Sequence, residues 1–100
     1  MNLKTLRKKI DSIDKRIIQL LNMRAKITVD IAKIKQKSGS SIYSPDREQE
    51  VLSKIKALSK GPLRESALDA IYREIMSSSL ALEKPLKIAY LGPEASFTHL

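Results

Sequence analysis

One hundred residues, 4% of them aromatic and none Cys or Trp, allow one small domain with a modest core. They exclude a disulfide framework, a thiolate metal site and, with a lone His99 near the end, a histidine-built metal centre. The net charge of +8 is uneven: residues 1–44 carry 11 Lys/Arg against 3 Asp, and residues 45–100 carry 8 of each sign, so the first segment predicts an anionic partner, nucleic acid or a small polyanion.

Charges interrupt every apolar run, so neither a signal-peptide h-region nor an 18-residue membrane span is expected, and the chain reads as soluble and cytoplasmic. The first segment is regular. Leu3, Leu6, Ile10, Ile13, Ile17, Leu20, Arg24, Ile27, Ile31 and Ile34 alternate steps of three and four, with no Gly or Pro before Gly39. That heptad seam predicts one helix from about residue 3 to 37, stopped by Ser38-Gly39-Ser40-Ser41. A second helix begins at Ser44-Pro45, with Ser as N-cap, Pro at the first helical position and Asp46 complementing the dipole. Val51, Leu52, Ile55 and Leu58 give it an apolar face, and Lys60-Gly61-Pro62 stops it. A third helix is predicted from about Leu63 to Glu83, with Leu68, Ile71, Tyr72, Ile75 and Met76 on one stripe that continues into Ser79, Leu80 and Glu83. Pro85 closes it. The run Leu86 to Leu91 before Gly92-Pro93 reads as a buried strand. One strand makes no domain, so the chain divides into a helical domain, 1–84, and the start of a second, α/β domain, 85–100.

A helix of about 35 residues is roughly 50 Å long. A compact globule of about 85 residues is only about 30 Å across. The first helix therefore overhangs its own fold by about 20 Å with its seam uncovered. Two chains paired along their long helices would cover it, so a homodimer is expected.

Several polar residues hold positions that the helical pattern reserves for apolar ones. Arg24 lies inside the seam, Ser79 and Glu83 prolong the third stripe, and Glu48 lies at helical spacing from Val51, Leu52 and Ile55. Lys35 follows Arg24 by eleven residues, so the two cations share a face about 16 Å apart. Taken singly each has a bland reading: a polar seam residue sets register, a lone lysine is solvated, a small serine packs. As a set, two cations, a hydroxyl and two carboxyls facing inward imply a polar ligand, because buried unpaired charges cost several kcal/mol.

The pattern Leu6-Arg7-Lys8-Lys9-Ile10-Asp11, Leu20-Leu21-Asn22-Met23-Arg24, Lys35 and Asp46-Arg47-Glu48 resembles the all-helical chorismate mutases. The run Ile75-Met76-Ser77-Ser78-Ser79-Leu80-Ala81-Leu82-Glu83 continues the match. The tail Ala89-Tyr90-Leu91-Gly92-Pro93-Glu94-Ala95-Ser96-Phe97-Thr98 looks like the opening of a prephenate dehydratase, although Ala95 replaces a common Gly and the later Thr-Arg-Phe motif is absent. The resemblance implies an all-α fold of three helices, one very long, in an intertwined homodimeric bundle. It implies conversion of chorismate to prephenate in aromatic amino-acid biosynthesis, without cofactor or metal and without dehydratase activity in these residues. Two arginines and a lysine of the family hold the two carboxylates and the ether oxygen; Arg7, Arg24 and Lys35 match them. Glu48 matches the glutamate that binds the substrate hydroxyl, and Arg47 lies beside it. Ser79 and Glu83 match residues contacting a carboxylate and the ether oxygen; the position of Glu83 is a glutamine in some relatives. Ser44 matches a position often filled by an aspartate on the hydroxyl. Arg24, Lys35 and Glu83 are the implied catalytic residues.

Spacing adds one constraint of its own. Arg7 and Arg24 stand about 25 Å apart along one helix and about 100° apart around it. They cannot grip one small molecule from the same chain, so Arg7 is expected from the partner subunit. The rival readings are a basic nucleic-acid binder and a plain dimerisation coiled coil. The first leaves the inward Glu48, Glu83 and Ser79 without a role and lacks interleaved aromatics; the second leaves Arg24 unexplained. The expected partners are thus a small dianion and a second copy, with neither nucleic acid nor membrane.

Overall fold

The computed structural model describes residues 1–83, which form three α-helices and no strand. The expected strand at 86–91 lies outside the described residues. Helix α1 spans Leu3–Ser38, opened by Asn2, whose side-chain oxygen accepts from the Thr5 N–H at 2.9 Å. It ends at Gly39, whose φ of 76° only glycine adopts without strain; the Ser40 N–H then returns to the Lys35 carbonyl at 2.9 Å. Helix α2 spans Pro45–Leu58, with Ser44 Oγ accepting from the Arg47 N–H at 3.3 Å, as the Ser-Pro signal predicts. Helix α3 spans Glu65–Glu83. It starts two residues later than expected, because the Arg64 carbonyl is the first to accept a helical bond, from the Leu68 N–H at 3.1 Å. Leu63 is left exposed in the turn.

Helix α3 packs against both α1 and α2 and holds them together. Its contact with α1 uses only the C-terminal half of that helix, where Ala32 is buried and Leu21, Ala25, Thr28 and Val29 are half-buried. Val51, Leu52 and Leu68 complete a core of four apolar residues. Lys56 Nζ lies 3.3 Å from Asp69 Oδ1 and ties α2 to α3 through a half-buried ion pair.

So small a core leaves the seam of α1 bare. Every apolar seam residue from Leu3 to Ile34 is 44% or more exposed, although the spacing is that of a buried face. The described chain measures 54 × 31 × 22 Å with a radius of gyration of 17.3 Å. A compact domain of this size would have a radius near 12 Å, so the long helix projects well beyond its own globule.

Candidate active site

The three helices line an open cavity of about 160 Å³ near the C-terminal ends of α1 and α3 and the start of α2. Each helix presents residues at the one-face spacing of i, i+3 or i+4, and i+7. Helix α1 contributes Arg24, Thr28, Ile31 and Lys35; α2 and its cap contribute Ser44, Arg47, Glu48 and Val51; α3 contributes Met76, Ser79, Leu80 and Glu83. Ile42 and Tyr43 of the α1–α2 loop complete the wall. Seven of the eight residues expected from the sequence thus meet in one place. Arg7 is the exception: it is exposed and stands outside the cavity, about 25 Å from Arg24 along α1.

Three cations and two carboxyls face this space. Lys35 Nζ donates to the Ile42 carbonyl at 3.2 Å, which pins the loop and leaves two of the three ammonium donors for a ligand. Arg47 also reaches out of the cavity wall to pair with Glu50, an exposed ion pair that lowers the Glu50 pKa chiefly by hydrogen bonding. Glu83 behaves oppositely. Burial at the end of α3 pushes its pKa above the ordinary 4.5, and the opposing pull of Lys35 and Arg24 does not cancel that. The balance between those effects was not decidable from spacing, and here desolvation wins.

Ser79 is only 6% exposed, and its hydroxyl donates to the Ile75 carbonyl at 3.0 Å. That bond satisfies the group without a ligand, so as it stands Ser79 offers acceptor lone pairs; contact with a carboxylate requires the hydroxyl hydrogen to turn. Thr28 has the same habit, donating to the Ala25 carbonyl at 2.7 Å. Sequence reasoning passed over Thr28 and Tyr43. Thr28 could have been found, since it lies four residues after Arg24 and seven before Lys35. Tyr43 is in a loop, where no periodicity points. Arg24 is half-buried, and its guanidinium carbon stands 6.0 Å from the centroid of the Tyr72 ring. Among the described residues no cluster of His, Cys, Asp or Glu is placed to hold a metal ion. No described helix is long and apolar enough to cross a membrane.

A set of cations and two carboxyls in a small cavity suits a compact polyanion that also carries a hydroxyl. Comparison with known proteins points the same way. The family model described as chorismate mutase type II matches residues 6–84. A bifunctional chorismate mutase/prephenate dehydratase of Aquifex aeolicus is 52% identical over 97% of this chain, and its Pseudomonas aeruginosa counterpart is 46% identical over 96%. The chain spans 28% of the length of either relative. Among solved structures, a chorismate mutase from Thermus thermophilus superposes with a TM-score of 0.80 at 30% identity, covering 82% of this chain and 93% of that one. A Helicobacter pylori chorismate mutase in complex with prephenate gives 0.75 at 35% identity, covering 82% and 89%.

Proposed function

The chain belongs to the chorismate mutase type II family, and from that premise we propose that its cavity converts chorismate to prephenate. The observation that carries the reading is the convergence of Arg24, Lys35, Arg47, Glu48, Ser79 and Glu83, from three helices, on one small cavity. The reaction is a unimolecular rearrangement in which an ether C–O bond breaks as a C–C bond forms, so it calls for no nucleophile, proton transfer or cofactor. Two things accelerate it. One is holding the ring and its enolpyruvyl arm in a near-attack conformer; the other is stabilising charge that develops on the ether oxygen.

The cavity residues divide those tasks. Arg24 forks a carboxylate, and the Lys35 ammonium lies toward the ether oxygen. Glu48 accepts from the ring hydroxyl, with Ser44 and Arg47 beside it. Ser79 meets a carboxylate. Glu83, protonated, donates to the ether oxygen. The second carboxylate falls to Arg7 of the partner subunit. Two observations support that contribution: Arg7 lies outside its own chain's cavity, and Ile31, in the cavity wall beside the half-buried Arg24, belongs also to the bare seam. A second chain laid along the seam would therefore border the site. The two carboxyls in the wall also argue against a nucleic-acid ligand, whose phosphates they would repel.

Residues 85–100 lie outside the described structure. We read them as a linker and the first strand of a dehydratase domain; a match reaching over 97% of the chain in the bifunctional relative supports that division. Dehydration of prephenate is not assigned to these 100 residues, and the cytoplasm is the expected location. The test is direct. Chorismate incubated with the protein should lose its ultraviolet absorbance, and Arg24→Ala should slow the loss by orders of magnitude, about 3–4 kcal/mol of transition-state stabilisation. Wild-type protein that leaves chorismate unchanged sinks the proposal.

A further inference from the structure

Arg24 raises a problem that the proposed reaction leaves open. It is half-buried in an apolar seam, and no hydrogen bond or ion pair is recorded for its guanidinium among the described residues. A long side chain in that setting has several rotamers, and freezing them on ligand binding costs affinity. The contact the structure does record is with Tyr72 on α3, whose ring lies under the guanidinium carbon at 6.0 Å from the centroid. Tyr72 is half-buried and does not line the cavity.

The geometry points to Tyr72 as a positioning residue for the reaction: its ring carries the Arg24 guanidinium on one face and so presents the in-plane N–H fork to a substrate carboxylate. This rests on the reaction proposed above. The chemistry of the partner matters. A carboxylate partner would occupy the in-plane donors and cancel the charge, competing with substrate for both. A ring face attracts the cation through its quadrupole, uses none of the five N–H donors and leaves the full positive charge in place. Leucine or methionine at the same point would fill the space without that attraction. The placement on α3 also has a consequence. Tyr72 precedes Met76, Ser79 and Glu83 on one face, so a single helix sets both the arginine of α1 and its own contributions to the cavity.

The ring's electrostatics can be varied without changing its shape. Tyr72→Phe keeps the face and should retain kcat/KM within about twofold. Phenylalanine carrying one and then three ring fluorines at position 72 progressively weakens the quadrupole, and log kcat/KM should fall in step, by about tenfold across the series. The unfolding midpoint should stay level, because ring volume hardly changes. Tyr72→Leu should match the trifluorinated ring in kcat/KM, whatever it does to stability. Loss of the ring current in Tyr72→Leu should also shift the Arg24 side-chain resonances, a readout of the contact apart from turnover. Wild-type protein inert towards chorismate overturns the reaction and this role together. Active wild type with a flat fluorine series, or with unmoved Arg24 resonances, overturns the role of Tyr72 alone.

Discussion

At the scale of single residues, the role proposed for Glu83 depends on its protonation. Its folded pKa lies above the ordinary carboxyl value because burial outweighs Lys35 and Arg24. In the proposed role the neutral form would donate a hydrogen bond, whereas the ionised form would repel negative charge growing on the ether oxygen. The sign follows: kcat/KM should fall as pH rises through the Glu83 pKa. Glu83→Gln keeps a donor without titrating, so it should flatten that fall and gain on wild type towards neutrality. Parallel profiles for the two proteins from roughly pH 5 to 8 would refute the role. Residues of this kind were legible in sequence when they broke a pattern. Arg24 stands out in a seam of Ile and Leu, and Glu83 ends an apolar stripe. Tyr72 obeys its pattern, sitting on an apolar stripe where an aromatic looks like packing, and only its distance to Arg24 distinguishes it. The Lys35–Ile42 contact was equally hidden, since a backbone carbonyl leaves no mark in side-chain chemistry.

At the scale of elements, the end of α1 and the start of α2 were read nearly to the residue from Gly39 and Ser44, because caps are local chemistry, whereas the start of α1 was read from its seam and the Asn2 cap went unnoticed. The start of α3 was misjudged by two residues because Gly61-Pro62 marks where α2 stops but not where the next helix begins. The α1 stop also yields a clean prediction. A Cβ at Gly39 would meet nothing within 4 Å, so Gly39→Ala carries only the backbone strain of a φ of 76°. It should destabilise the protein by about 1–2 kcal/mol in urea unfolding. Because the Lys35–Ile42 bond holds the loop independently, kcat/KM should stay close to wild type. Gly39→Ala as stable as wild type would mean that the helix ends elsewhere in solution.

At the scale of the whole molecule, the length of α1 against the small core was the most informative feature in the sequence, and the bare seam repeats that message in three dimensions. What spacing could not supply was the path of a second chain. The homodimer proposed here should show an unfolding midpoint that rises with protein concentration. Inactive Arg7→Ala and Arg24→Ala proteins, once their subunits have exchanged, should recover activity, because one of the two sites in each mixed dimer holds both arginines. Exchange demonstrated without recovery would place both arginines in one chain's site, contrary to their separation along α1. The projecting half of α1 carries one last implication, for how the enzyme behaves on dilution. If each cavity is completed by a neighbour's Arg7, then catalysis is a property of chain pairs, and turnover per milligram is not constant. Below the dissociation constant of the pair it declines in proportion to total protein, so an assay at trace concentration would report a sluggish catalyst where the concentrated solution holds a competent one.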